Sequence, residues 1–136
     1  MPRTPKFDPI RPSRNRIASV DLPAQGRQGD PPPWPLPDPP SAAETQAWAD
    51  LWATPQAVAW ERLGWTRTVG RYCRMMVAAE APGAKAALLA QVTALEDRLG
   101  LTPKSMRLLL WRVVADEVTE RRQVRGARGR IRAVTE

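Results

Sequence analysis

The sequence predicts a mainly α-helical fold, and three observations support that prediction. Apolar residues recur at helical spacings of three and four between Ser41 and Arg122. Capping residues or prolines mark three helix starts, and proline or glycine marks three helix ends. The 15 prolines are concentrated in the first forty positions, where no apolar period is found. We therefore predict a four-helix subunit built around helical hairpins, with a disordered Pro-rich N-terminal arm and a basic C-terminal tail.

Composition divides the chain into three segments. Residues 1–40 should form a largely disordered, Pro-rich basic arm that ends in PPPWPLPDPP, a run that favours polyproline II backbone. Residues 41–122 should form the helical core and oligomerisation domain, and residues 123–136 a basic tail. The arm is open to three interpretations: a plain tail, a DNA-contacting segment, or a docking peptide anchored by Trp34 and Leu36.

The first helix should start at Ser41, because Ser41 and Glu44 have the spacing of a capping box. Its apolar face comprises Ala47, Trp48, Leu51 and Trp52, and it should end before Thr54 and Pro55. That Thr-Pro pair supplies a capping oxygen and a first-turn proline, so a second helix should follow directly.

The second helix is predicted from Pro55 to about Glu80, with two different faces. One apolar stripe should pack inward and comprises Val58, Trp65, Val69, Tyr72 and Met76. The other side carries an aromatic and basic ridge made of Trp60, Arg67, Arg71 and Arg74. This ridge suits a phosphate backbone, although a plain solvated arginine face explains the same pattern. Gly64 and Gly70 weaken the helix and favour a kink or a close helix contact near them.

A third helix follows the break at Pro82 and Gly83. Its apolar seam has spacings of four, three and four and comprises Leu88, Val92, Leu95 and Leu99. The short connection predicts an antiparallel hairpin of the second and third helices. The seam should therefore make the contact within the chain, although an interface between subunits would use the same pattern.

The fourth helix should begin after a tight turn, since Gly100 suits a positive φ and Thr102 with Pro103 suits a helix start. Apolar residues cover most of this helix, and its continuous polar stripe is narrow: Ser105, Arg112, Asp116 and Thr119. Such a helix is either the centre of a monomeric bundle or shared with a neighbouring subunit. Its candidate core and oligomerisation residues are Met106, Leu109, Leu110, Trp111, Val113 and Val114.

Charge favours an anionic partner, with nucleic acid first and an acidic protein surface or membrane second. The net charge is +7 and the sequence pI is about 10.9. Most of the cations are arginines, whose planar forks match phosphate geometry. The candidate DNA-binding residues are Arg67, Arg71 and Arg74 on the second helix and Arg121, Arg122, Arg125, Arg128, Arg130 and Arg132 in the tail.

The residue inventory argues against enzymatic chemistry. The chain contains no histidine, which excludes a Ser-His-Asp triad and most zinc sites, and no glycine-rich phosphate loop is present. Glu96 and Asp97 are adjacent on a helix and do not face each other. We expect no catalytic residue, no metal and no cofactor. The single cysteine, Cys73, and the lack of a signal peptide or membrane span predict a cytosolic protein.

Three short segments resemble bacteriophage terminase small subunits of the type common in phages of actinobacteria. The first motif segment, residues 22–27, reads LPAQGR and is followed by PPPWPL. The second, residues 51–57, reads LWATPQA and is followed by Trp60. The third, residues 99–107, reads LGLTPKSMR. Each segment is modest alone, but their order and spacing make the resemblance fairly specific.

The resemblance implies a non-enzymatic component of the DNA-packaging motor. Such proteins form rings of mainly helical subunits, bind double-stranded viral DNA near the packaging start site, and pass it to the terminase large subunit, which holds the ATPase and nuclease. It also implies work in the cytoplasm of the infected bacterial host. The first forty residues are too rich in proline for the separate N-terminal helix-turn-helix domain of many small terminases.

Two routes to DNA remain open under this resemblance. Either the helix pair around Gly100 reads DNA, or that pair is structural and the arginines make the contacts. We favour the second route, because a recognition helix needs an exposed polar face. Two other functions also remain open: a small helix-turn-helix transcriptional regulator, and a protein adaptor that docks through its Pro-rich arm.

Overall fold

The computed structural model describes residues 18–115, and in that range the protein is mainly helical, as predicted. Five helices and two short strands occur in the order β1 (Val20–Pro23), α1 (Ala42–Trp52), α2 (Pro55–Leu63), α3 (Thr66–Glu80), α4 (Ala86–Arg98), α5 (Pro103–Leu109) and β2 (Trp111–Val114). Helix α3 packs against α1 on one side and α4 on the other. Among the described residues, no helix is both long and apolar enough to cross a membrane.

Capping chemistry sets the helix starts much as the sequence predicts. Ser41 and Glu44 form the expected capping box at α1, and Thr102 forms one with Ser105 at α5. Thr54 precedes α2, but its hydroxyl donates 2.7 Å to the Leu51 carbonyl and does not cap the helix. At the start of α2, the fixed φ of Pro55 in the first turn is therefore the feature that favours the helix.

The predicted second helix is divided in two at Gly64. This residue has φ +70° and ends α2 in the left-handed region, after which α3 begins at Thr66. The kink that the glycines favoured is therefore a complete break. Inward packing of the apolar stripe is confirmed: Val69 and Tyr72 are buried, while Val58, Trp65 and Met76 pack against the core.

Helix α4 presents its predicted seam to the core. Val92 and Leu99 are buried, and Leu88 and Leu95 pack against the same cluster. The turn that leads into α4 contains Gly83, with φ +77°. The seam therefore contributes to contacts within the chain, as expected.

The prediction of a long fourth helix is wrong. Helix α5 ends at Leu109, where Leu110 takes a left-handed conformation with φ +59° and caps it. The next four residues form β2, which pairs in parallel with β1. The β-branched Val113 and Val114 favour a strand over a helix. The polar stripe predicted for this helix is likewise not one face: Ser105 is 2% exposed and Arg112 lies on β2, while Asp116 and Thr119 fall outside the described residues.

Residues 18–40 also differ from the disordered arm predicted for residues 1–40. Val20, Asp21, Leu22 and Pro23 pair in register with Trp111, Arg112, Val113 and Val114. The Asp21 and Arg112 side chains form an ion pair of 2.9 Å across the two strands. Leu22 is fully buried, so this segment is part of the core. Residues 1–17 of the predicted arm lie outside the described range.

Candidate nucleic-acid interface

The first and second motif segments are in direct contact. Gly26 has φ +78°, and a Cβ atom built there would lie 1.8 Å from the Ala53 carbonyl oxygen. The Arg27 amide donates to the Thr54 carbonyl at 3.2 Å. The Arg27 guanidinium pairs with Glu61 at 2.9 Å and lies 5.6 Å from the Trp52 ring centroid. Only glycine fits position 26, so the Gly-Arg pair fixes how the N-terminal segment meets α1 and α2.

The second and third motif segments also meet at α2. The indole of Trp60 donates 2.8 Å to the Leu99 carbonyl, and the amide of Gln56 donates 3.2 Å to the Gly100 carbonyl. Gly100 has the predicted positive φ, +75°, and a Cβ atom there would lie 2.3 Å from the Trp111 ring. The three segments of the resemblance therefore form one continuous cluster around α2.

A ladder of four tryptophans joins the Pro-rich segment to this cluster. The edge-to-face pairs Trp34–Trp48, Trp48–Trp52 and Trp52–Trp60 have centroid separations of 5.2, 5.4 and 5.9 Å. Such pairs contribute beyond their buried area. The Trp48 indole donates to the Pro32 carbonyl at 2.8 Å, which gives the Pro-rich backbone a partner. A docking peptide anchored by Trp34 was one of three interpretations of this segment, but in the structure Trp34 packs within its own chain.

The predicted aromatic and basic ridge does not form a single surface. Trp60 is fully buried. Arg74 forms an ion pair of 3.0 Å with Glu44, donates to the Asp38 and Pro39 carbonyls, and lies 5.3 Å from the Trp34 centroid. Arg74 therefore holds the Pro-rich segment on α3. Its partner could not be inferred from helical periodicity, because Glu44 is thirty residues away on α1.

Arg67 and Arg71 remain available on the exposed face of α3. Both are exposed and four residues apart, so they lie on the same face of the helix. Arg71 makes one long contact of 3.5 Å with the Thr68 hydroxyl, and neither forms an ion pair with a described residue. The predicted tail arginines, Arg121, Arg122, Arg125, Arg128, Arg130 and Arg132, lie outside the described residues.

The positive charge is distributed unevenly along the chain. Residues 18–115 contain ten lysines and arginines against nine aspartates and glutamates. Residues 1–17 contain five cations against one acid, and residues 116–136 contain six cations against four acids. Of the net charge of +7, the described part therefore carries +1 and the two ends carry +6. Long-range attraction to a polyanion originates mainly in the ends.

The candidate core and oligomerisation residues divide into two groups. Trp111 is buried and contacts Trp65 at 6.1 Å between centroids, and Met106, Leu109 and Val114 are partly buried. Leu110 and Val113 are exposed, and the neighbouring Leu108 is 75% exposed. The C-terminal part of the described fold thus supplies both core contacts and an apolar surface that no other described residue covers.

Helix α5 exposes a cationic surface that the sequence did not predict. Lys104 and Arg107 are exposed and three residues apart on this short helix. A long, nearly apolar helix was the reason to expect that this helix pair does not read DNA, and α5 is not such a helix. Lys104 and Arg107 therefore belong among the candidate nucleic-acid contacts. Their position directly after the Thr102–Pro103 helix start was the sequence feature that could have identified them.

Two features of the titratable groups follow from this packing. The hydrogen bond between Arg27 and Glu61 lowers the pKa of the carboxyl and raises that of the guanidinium. Burial raises the pKa of the Cys73 thiol to about 11, so the thiol stays protonated near neutral pH. Within residues 18–115, no group of three or more metal-ligating side chains comes together. The described arrangement offers cations and apolar surface to a partner.

Comparisons with known proteins add no relative. No model of a protein family matches the chain, and neither curated proteins nor solved structures give a significant match.

Proposed function

We propose that this protein is a terminase small subunit, which binds viral DNA at the packaging start site and delivers it to the large ATPase and nuclease subunit. It is a homo-oligomeric ring without catalytic activity of its own, and it works in the cytoplasm of the infected bacterial host. The family identification rests on the resemblance of the three motif segments.

The distribution of charge is the observation that carries DNA binding. The described part, residues 18–115, is almost neutral, while the two ends of the chain hold +6 of the net charge of +7. Arginine-rich segments of this kind neutralise backbone phosphates and release counterions, which gives affinity without base specificity. Arg67 and Arg71 add two exposed cations on α3.

Packing supports the family identification in a second way. Residues of the three motif segments contact one another through Gly26 against Ala53 and through Gln56 against Gly100. The motifs therefore have a structural reason for their order and spacing, since each supplies a contact that another requires.

Uncovered apolar surface supports assembly. Leu108, Leu110 and Val113 are exposed on and beside α5 and β2. The two-stranded sheet also leaves one edge of each strand without a sheet partner among the described residues. A ring would bury such a surface between copies and would multiply weak phosphate contacts through avidity.

The test combines native mass with the salt dependence of duplex binding. Light scattering should give a single multiple of the 15.1 kDa chain mass well above a dimer. In the full chain, Arg67→Gln with Arg71→Gln should reduce the slope of log affinity against log salt by up to about 2, with the thermal midpoint unchanged. Arg74 is left intact because its change would detach the Pro-rich segment.

A matched pair in the tail provides the control. Arg128→Gln with Arg130→Gln removes the same charge, so the two double variants compare a helix contact with a tail contact at equal net charge. A monomeric mass at micromolar concentration would refute the ring, and no duplex binding at low salt would refute the DNA function.

A small helix-turn-helix transcriptional regulator is the second candidate. The observation that favours it is the exposed pair Lys104 and Arg107 on α5, directly after the tight turn at Gly100. A regulator should be dimeric and protect a site with two-fold symmetry. Lys104→Gln with Arg107→Gln would then abolish site-specific protection while leaving nonspecific binding.

A further inference from the structure

A groove of about 530 Å³ runs along α1 and is closed on its other side by the end of α3. Its walls are apolar and include Ala43, Ala47, Leu51 and Met76. Two acidic residues, Asp50 and Glu80, are also part of the lining. The function proposed above makes no use of this groove.

The groove is electronegative in a protein of positive net charge. Asp50 accepts one hydrogen bond from Gln46 at 3.0 Å, and Glu80 forms no ion pair with a described residue. Both acids lie near the C-terminal ends of their helices, where the helix dipole is also negative. Neither α1 nor α3 has a basic residue in its last turn. The groove therefore favours a cationic occupant that also carries apolar side chains.

The C-terminal segment of the same chain has that chemistry. Residues 121–134 contain six arginines, and Val124, Ile131 and Val134 lie among them. The segment is cationic enough to face Asp50 and Glu80 and has aliphatic side chains for the walls. The intervening residues 116–120 read DEVTE, so this acidic spacer would be repelled from the groove.

The described chain ends close enough for this segment to reach the groove. The Val114 carbonyl accepts from the Ala24 amide at 2.9 Å, and the Arg27 amide donates to the Thr54 carbonyl at 3.2 Å. Thr54 lines the groove. Because Ala24 and Arg27 are three residues apart, Val114 lies within roughly 20 Å of the groove. The seven residue steps from Val114 to Arg121 can span about 24 Å when extended, so Arg121 can reach the edge of the groove.

We propose that residues 121–134 dock into the groove between α1 and α3 of their own chain, with arginines at Asp50 and Glu80 and aliphatic side chains against the apolar walls. If the tail also binds DNA, which rests on the proposed function, DNA and the groove compete for the same arginines. The groove then holds the tail until a duplex is present.

Photo-crosslinking in the full chain tests the contact without DNA. Ala43 is replaced by p-benzoylphenylalanine, and the control carries the same residue at Ala87. Both alanines are exposed second residues of their helices, but only Ala43 lines the groove. Digestion after glutamate releases residues 121–136 as one fragment, which follows Glu120. We expect this fragment attached at position 43 and not at position 87, with the yield falling several-fold at about 1 M salt.

Three outcomes would overturn the docking proposal: no cross-link from position 43, a cross-link to another segment, or a cross-link that joins two chains. The last of these would make a second copy the occupant. In each case the substituted chain must be full length and must keep its native mass and thermal midpoint. A failure to fold then cannot be mistaken for lack of contact.

Charge variants test the competition. Asp50→Asn with Glu80→Gln should lower the cross-link yield and raise duplex affinity several-fold more than Asp30→Asn with Asp38→Asn. The control removes the same two negative charges at exposed positions outside the groove, so the excess measures release of the tail. Equal gains in the two variants would refute the competition. A cross-link without duplex binding would support the docking proposal and refute the DNA function. Duplex binding without a cross-link would support the DNA function and refute the docking proposal.

Discussion

Two segments of the chain behave contrary to what their compositions predict. The N-terminal segment, residues 18–40, contributes to the core, and the C-terminal segment, residues 103–115, exposes apolar side chains. The Pro-rich segment reads as disordered, yet Leu22 is buried and Trp34, Arg27 and the backbone of Pro32 all have partners. The apolar segment reads as a fully buried helix, yet Leu108, Leu110 and Val113 are exposed. The two segments meet along the β1–β2 pair.

The two segments differ in the contacts that stabilise the backbone of each. A Pro-rich stretch lacks internal hydrogen bonds, so side chains from elsewhere must fix it. Here the tryptophan ladder and Arg74 do so. The C-terminal segment has its own backbone partners in α5 and β2 and needs fewer contacts to be ordered. Its surplus apolar surface is then free for a partner.

The largest expected effect comes from the same substitution in the two segments. Leu22→Ala should lower the free energy of unfolding by about 2–5 kcal/mol, because Leu22 is fully buried. Leu108→Ala should change it by no more than about 0.5 kcal/mol, since Leu108 is 75% exposed. Urea unfolding measures both. Equal losses would erase the contrast, and a loss at Leu108 that grows with protein concentration would place Leu108 between copies.

A glycine pair sharpens the comparison inside the N-terminal segment. Gly26 and Gly29 both have positive φ, +78° and +95°, but only Gly26 would bring a Cβ atom onto a neighbour, the Ala53 carbonyl. Gly29→Ala should cost about 1–2 kcal/mol for its backbone conformation alone. Gly26→Ala should cost a further 1–3 kcal/mol or so, because the segment must move away from α1. Thermal unfolding of both variants decides whether this contact fixes the segment.

The smallest expected effect is a loss of stability at alkaline pH, caused by a buried thiol where α1 packs against α3. Cys73 is buried, its thiol donates to the Glu44 carbonyl, and its pKa is raised from 9.0 to about 11. The unfolded chain therefore loses this proton at lower pH than the folded chain, so stability should fall as pH rises from about 9 to 11. Burial also raises the pKa of Tyr72, which adds to the decline at higher pH.

Urea midpoints of the natural chain and of Cys73→Ala, each at pH 8 and pH 10.5, measure the contribution of the thiol. The comparison is the change with pH in each protein, so a constant loss from the substitution cancels. The decline should be smaller in Cys73→Ala. An identical decline would mean that the folded thiol titrates normally and that the contact admits solvent.

Only part of the candidate site within residues 18–115 could be predicted from the sequence, and the misses share a cause. The exposed pair Arg67 and Arg71 follows from helical spacing, and both lie on the surface of α3. Arg74 shares that spacing but binds Glu44 and the Pro-rich backbone, which are remote in sequence. Lys104 and Arg107 were overlooked because the length of α5 depends on the strand that follows it.

Local chemistry alone determined the helical class and the capping boxes at Ser41 and Thr102. It also determined the positive φ of Gly100 and the inward faces of α3 and α4. Each of these features depends on residues within one or two turns. Tertiary structure decided the rest. Pairing with β1 turned the apolar run after Leu109 into a strand, and the tryptophans ordered the prolines. Both outcomes depend on contacts between segments far apart in the chain, whose energies exceed local propensity.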